Sequence, residues 1–384
     1  MSDCPPQAYV AALAGFRNMN VHRLSALLRN HEPDEAWAVV LGERPATGLI
    51  AHVLAGSSTV RASWRRCATE REPARIWQQC LDLGLEVLVM GHPRYPAGLL
   101  DDRLPPPVLF TRGDLSLLEG RRVSIVGTRN ATAGGRATAR SLGHGLAAAG
   151  IHVLSGLARG VDGYAHRGAL AAAAEMADDA KDGAGRPIGI VASGHDVIYP
   201  REHADLWAAV GDRGLLLSES PPGTPPEPHR FPLRNRIVAA LSEVVIVVES
   251  RERGGSLITA SEAIDRSIPV MAVPGPVDRR SAAGTNRLIC DGAAPVLAVD
   301  DILIALSYQN GRSAVMAADL RPRPRGTDLA VYRVIAEDAR TIDGVALALG
   351  LSLVDAAMCL ARLEANGWIA QADGWFERAG SPFR

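Results

Sequence analysis

At 384 residues the chain is longer than one small hydrophobic core usually organises, so two or three domains are expected. Apolar residues at 47% and charged residues at 22% fit an ordinary globular protein, and a net charge of -1 leaves no overall cationic field to draw nucleic acid or membrane, so any anion site must be local. Cys4, Cys67, Cys80, Cys290 and Cys359 are isolated, with neither CxxC spacing nor a histidine partner, which argues against structural zinc and against a disulfide scaffold.

Residues 1–6 show no basic segment followed by an apolar run, and no apolar stretch of about 18 residues occurs anywhere. A cytoplasmic protein is expected. From residue 8 to about 74 the pattern is helical, with Val21, Leu24, Leu27 and Leu28 at helix spacing and breaks at Pro33, Pro45 and Gly56. Residues 15–20 between two of these helices read as a plain turn, a helix-hairpin contact to DNA being the alternative.

From Leu85 the period changes. Short β-rich runs at 85–90, 123–126, 152–154, 188–191, 215–217, 244–248 and 269–273 alternate with helical segments at 134–149, 164–175, 233–241 and 256–265. Most of the later runs are apolar throughout, as in strands of a parallel sheet covered on both faces. Alternating β and α predicts a doubly wound α/β fold. Residues 321–326, Arg-Pro-Arg-Pro-Arg-Gly, read as a linker. Beyond it, helical patterns at 328–337, 342–349 and 353–364 precede Asp373-Gly374 between two β-like runs, a hairpin signal. These boundaries give a helical domain over 1–74, an extended Rossmann-like domain over 75–306, a linker over 307–326 and a winged helix over 327–384.

Ligands of open α/β sheets sit beyond the carboxyl ends of the strands, where backbone amides and helix N-termini converge. Glycine-rich segments fall at those places: Gly127-Thr128-Arg129, Ser155-Gly156 running to Arg159-Gly160, and Gly254-Gly255-Ser256 with Thr259. Arg129, Arg159, Arg234 and Arg236 lie beside them or on the next helix. Glycine lets amides approach an oxyanion closely and arginine adds a charged fork, so phosphate binding is expected. No GxGxxG and no GxxxxGK occurs, which sets aside dinucleotide and nucleoside-triphosphate sites of the usual design. Asp162 reads as a helix N-cap rather than a catalytic acid, and His166 as a packing residue. Glu219 and Glu249 end strands near the site but have no evident nucleophile or metal partner.

These blocks resemble the DNA-processing proteins called DprA or Smf. The resemblance covers Tyr95-Pro96, residues 125–129, 155–162, Ala165-His166, Tyr199-Pro200, Ser218-Glu219, 231–236, 254–260, Pro274-Gly275 and 284–289. It implies an extended Rossmann domain, often preceded by a SAM-like helical domain and followed by a winged helix, that dimerises, binds and protects single-stranded DNA and loads RecA in natural transformation. It further implies a DNA-contact set of Gly127, Thr128, Arg129, Ser155, Gly156, Arg159, Gly160, Arg234, Asn235, Arg236, Gly254, Gly255, Ser256 and Thr259, with no catalytic residue, metal or cofactor. Thr128 stands where the family more often has serine, and residues 176–186 form a longer charged loop.

Aromatic residues are only 4% of the chain, Phe231 being the obvious one near these loops, so phosphate contacts rather than base stacking are expected to dominate. From Thr341 to Trp375 the only base is Arg362, too little for a groove reader, so the winged helix is expected to contact protein or to regulate. The alternative is a nucleoside monophosphate phosphoribohydrolase, of which Gly254-Gly255-Ser256 followed by Glu262 is a partial echo. A scaffold that meets RecA without touching DNA is a third reading.

Overall fold

A computed structural model describes residues 4–176, 183–309, 324–372 and 374–378. These fall into two compact units, Met1–Gly311 and Arg312–Arg384. Most of the charged loop at 176–186, most of the linker and the Asp373 turn position lie outside the described residues.

The first unit opens with helices α1 Pro6–Ala14, α2 Val21–Asn30, α3 Pro33–Leu41, α4 Gly48–Gly56, α5 Ser58–Glu70 and α6 Pro73–Asp82. Proline starts α1, α3 and α6, where its missing N–H is one the helix would leave unpaired anyway. Residues 15–20 are a turn, and Asn20 caps α2 by accepting from the Arg23 amide at 2.9 Å. Leu13, Leu27, Ile50 and Trp64 fill the core of this helical part. The same core takes in Leu85, Val87, Val108 and Phe110, so the helices and the sheet's antiparallel edge share one interior.

That sheet has nine strands: β1 Glu86–Val89, β2 Val108–Gly113, β3 Arg122–Val126, β4 His152–Ser155, β5 Pro187–Val191, β6 Leu215–Ser218, β7 Val244–Val247, β8 Val270–Ala272 and β9 Ala294–Pro295. Their order is β1-β2-β6-β5-β4-β3-β7-β8-β9. Pairing is parallel from β6 to β9, while β1 and β2 add an antiparallel edge. Helices α7 Ala97–Leu100, α8 Ala133–Ala148, α9 Val161–Glu175, α10 Ala204–Arg213, α11 Arg230–Ala240, α12 Gly255–Ile264, α13 Ala283–Cys290 and α14 Val299–Gln309 connect or follow the strands. Alternate strand residues serve opposite faces. Val123, Ile125, Val244 and Ile246 pack with Leu142 and Leu146 of α8 and Ala165 and Ala169 of α9, whereas Val126, Val245 and Val247 pack with Ile237 and Val238 of α11 and Ala260 of α12. This two-sided burial is the doubly wound α/β fold the apolar runs predict. The sequence pattern misses β2 and β9.

The second unit comprises α15 Gly326–Glu337, β10 Arg340–Thr341, α16 Ile342–Leu349, α17 Leu353–Ala365, β11 Ile369–Ala372 and β12 Trp375–Arg378. The strands form an antiparallel sheet in the order β10-β12-β11. Val331, Tyr332, Ile335, Val345, Leu360, Leu363 and Trp368 make its core. Three helices precede the β11–β12 hairpin, and β10 lies between α15 and α16.

Candidate functional site

In the parallel sheet the chain winds outward from β3 in both directions, to β4 on one side and β7 on the other. Beyond the carboxyl ends of β3 and β7 the connecting loops part, which is where an open α/β sheet makes its crevice. The crevice is a cleft of about 720 Å³ walled by residues 126–130, by Arg234 and Asn235 on α11, and by Arg251, Arg253, Gly254, Gly255, Ser256 and Thr259. A smaller hollow of about 300 Å³ shares Arg129, Tyr199 and Phe231 with it and adds Gly156 and Arg159.

The cations around this space differ in kind. Arg129 is exposed, and its guanidinium lies 4.5 Å from the centre of the Phe231 ring. Arg251 and Arg253 are exposed on the opposite wall. Arg129, Arg251 and Arg253 have no carboxylate partner among the described residues. Arg159, on the rim, is paired with Glu202. Arg234 is only 7% exposed, yet its guanidinium reaches the cleft wall from below and donates to the Ile190 carbonyl at 2.8 Å. A side chain at Gly156 would overlap that guanidinium, so glycine here leaves room for the buried Arg234 side chain at the end of β4. Burial pulls the Arg234 pKa down to about 10, against the attraction of Asp162, so the group stays cationic at neutral pH.

Besides α11, the helices α8, α9 and α12 start around the cleft, and their ends are treated differently. At α9 the N-cap is Gly160, with φ of 71°, and a Cβ there would overlap the Thr128 carbonyl. Asp162 therefore sits inside the first turn rather than at the cap, and its carboxylate accepts from the Gly156 amide at 3.1 Å. Burial raises the Asp162 pKa, with Arg234 opposing. At α8 the N-cap Thr132 accepts from the Gly135 amide at 3.0 Å and is itself held by Glu249. At α12 the N-cap is Gly254 and no side chain caps the helix. Ser256 turns its hydroxyl inward to Ser250 at 3.0 Å, and Asn235 donates to the Gly255 carbonyl at 3.3 Å. Thr259, nearly buried, lies one turn further along the wall.

The structure thus brings Gly127, Thr128, Arg129, Arg234, Asn235, Gly254, Gly255, Ser256 and Thr259 together along one cleft, with Gly156 and Arg159 in the adjoining hollow. Ser155 and Arg236 are not among the residues that line either space. Ser155 is fully buried and donates to the Ile125 carbonyl at 2.6 Å. Arg236 points to the far side of α11, where it forms a buried ion pair with Glu219 and donates to the Leu104 carbonyl at 2.7 Å. Gly160 supports the Thr128 loop without lining the cleft. His166 is completely buried, and burial lowers its pKa to about 3, consistent with a packing role. Glu262, the partial echo of a hydrolase, is engaged by Arg103 at 3.0 Å and by Arg266. Sequence reasoning missed Arg251 and Arg253. Their only signal is position, since both fall within the three residues before the Gly254-Gly255 pair. Among the described residues no group of histidine, cysteine and carboxylate side chains is arranged to hold a metal ion, and no single helix is long and apolar enough to cross a membrane.

Residues 86–307 match the family described as DNA recombination-mediator protein A. The chain is 40% identical over 237 residues to the DNA processing protein DprA of Bacillus subtilis, a match covering 62% of this chain and 76% of the relative. Among solved structures it is similar to DNA processing protein A of Streptococcus pneumoniae, with a TM-score of 0.62 and 28% identity over 77% of this chain and 95% of that one. It is also similar to the Helicobacter pylori protein whose structure concerns the single-stranded DNA binding mode of DNA processing protein A, with a TM-score of 0.51 and 27% identity over 59% of this chain and 98% of that one.

Proposed function

The chain belongs to the DNA recombination-mediator protein A family, and from that premise we propose that it binds single-stranded DNA through its sugar-phosphate backbone in the cleft between the β3 and β7 loops. The observation that carries this reading is the convergence of Arg129, Arg251 and Arg253, without carboxylate partners among the described residues, on the uncapped N-terminus of α12. Amides at a helix start and arginine forks suit phosphate oxygens, which every nucleotide presents alike. The similarity to the Helicobacter pylori protein, whose structure addresses single-stranded DNA, supports the polymer over a free nucleotide. Phe231 and Tyr199 add the ring faces on which a base could rest, and they are too few to dominate.

In this reading the contact set is Gly127, Thr128, Arg129, Arg234, Asn235, Gly254, Gly255 and Ser256, with Arg251 and Arg253 added. The protein acts by binding rather than by catalysis, works as a homodimer, and hands the covered strand to RecA. Binding of single- and double-stranded oligonucleotides of equal length tests the first part: tighter binding of the single strand is expected, and preference for duplex overturns the reading. The rate at which RecA filaments nucleate on the pre-bound strand tests the hand-over. It should rise when this protein is present, and an unchanged rate removes that part. Release of free base from nucleoside monophosphates would revive the hydrolase.

A further inference from the structure

In an open α/β sheet the helix that follows the first wound strand is the one that receives a ligand's phosphate. Here that helix is α8, and its start already holds an anion belonging to the protein. Glu249, two residues past β7, accepts from the Thr132 amide at 2.9 Å and from the Thr132 hydroxyl at 2.5 Å. Its backbone carbonyl accepts from the Thr128 amide at 2.8 Å, which ties the β7 end to the β3 loop. A Cβ on Gly135 would overlap the Glu249 carboxyl group, so the missing side chain of this glycine forms the cradle in which the carboxylate lies. Glycines that in a nucleotide-binding protein make room for pyrophosphate here make room for a glutamate. By contrast, α12, across the same cleft, has neither a capping side chain nor a carboxylate at its start.

We propose that Glu249 is a specificity-determining residue: a built-in stand-in for phosphate that closes the start of α8 to free diphosphates, such as those of nucleoside diphosphates and dinucleotides. Phosphate entering the cleft is then received at α12. A diphosphate aimed at α8 must displace the carboxylate from Thr132 and from the Gly135 cradle or approach it as a like charge, and either is unfavourable. A polymer strand lying along α12 and the three arginines has no such demand. This inference rests on the single-strand reading of the cleft.

The test uses the full chain as parent, Glu249→Ala, Glu249→Ser, and Glu249→Ala combined with Gly135→Ala. Inorganic pyrophosphate and ADP are titrated by calorimetry and an oligothymidylate by fluorescence anisotropy. Removing the carboxylate should strengthen pyrophosphate and ADP binding by about tenfold, the scale of a charge-assisted hydrogen bond. Adding Gly135→Ala should return it to the parent level, because the methyl group fills the space just vacated. Oligothymidylate affinity should stay within about threefold of the parent, the α12 wall being untouched. If Glu249→Ala does not fold, Glu249→Ser, which also removes the carboxylate and empties the cradle, makes the same comparison. Unchanged pyrophosphate and ADP affinity in the folded variants overturns the role of Glu249, as does a gain that survives Gly135→Ala. Failure of the parent itself to bind oligothymidylate sinks the single-strand reading instead, and the pyrophosphate comparison still decides what Glu249 does.

Discussion

Arg129 lies exposed against the Phe231 ring, whereas Arg234 reaches the same cleft from within the protein, held by the Ile190 carbonyl beneath Gly156. Arg129→Ala removes a cation that meets solvent and little else, so the fold should be untouched. Single-strand affinity should fall about tenfold, equally for all base sequences, since a phosphate contact carries no sequence information. Unchanged affinity by anisotropy would remove Arg129 from the site. At Gly156 the expected result is structural. The Cβ of Gly156→Ala overlaps the Arg234 guanidinium, and relieving that overlap in a packed interior costs about 1–3 kcal/mol. A lower melting temperature together with lost binding should follow, and a variant as stable as the parent contradicts the packing described. Arg236→Ala should lower stability by about 2–3 kcal/mol in urea titration, because the largely buried Glu219 loses its ion-pair partner and keeps only the weaker attraction of Arg230. That the glycines and most of the arginines at the strand ends would meet around one cleft was legible. That Arg236 faces away from the cleft and Ser155 lies under it was not, because burial depends on which helix face meets the sheet. Arg251 and Arg253 escaped notice because arginine is everywhere in a chain whose only lysine is Lys181.

Among the elements, strands buried on both faces announced themselves. β5, β6, β7 and β8 are wholly buried, so unbroken apolar runs were required there and were readable. β2 went unread because its run emerges from Pro105-Pro106-Pro107 and ends in Thr111-Arg112-Gly113, a pattern that only antiparallel pairing with β1 and β6 turns into a strand. The two-residue β9 is too short to leave a pattern. On α17, the helix that would enter a groove in a DNA-reading winged helix, Leu353, Val354 and Met358 are exposed, and Arg362 is bound to Asp328 at 2.6 Å. No free cation remains on that helix. A chain ending at Gly326 should therefore retain single-strand affinity within about twofold, and a larger loss would place a strand contact in the second unit.

The molecule as a whole is nearly neutral, so the proposed binding of a polyanion has to come from one cleft rather than a broad field. Affinity should still fall steeply as salt rises from about 50 to 200 mM, with a logarithmic slope of about −0.7 per neutralised phosphate. A slope near zero rules out phosphate recognition by Arg129, Arg251 and Arg253. Stability should respond to acid chiefly through His166 and His195, the histidines that burial lowers most. Burial lowers His166 to about 3 and His195 to about 4, so below pH 6.5 the unfolded chain takes up protons that the native fold refuses. Between about pH 6 and 5 each histidine should remove up to roughly 1.4 kcal/mol per pH unit from the unfolding free energy. Buried Asp162 and Glu219, both raised, work in the opposite sense, so the difference between parent and His195→Gln isolates one histidine. Identical pH slopes in the two proteins would contradict its buried, neutral state. The shared interior of the first unit also governs how the protein is born. The core begun by α1 to α6 is closed by Val108 and Phe110 on β2. A nascent chain leaving the ribosome amino end first therefore cannot complete this interior until residue 113 has emerged, and over that interval the helix surface that β2 covers stays open to water.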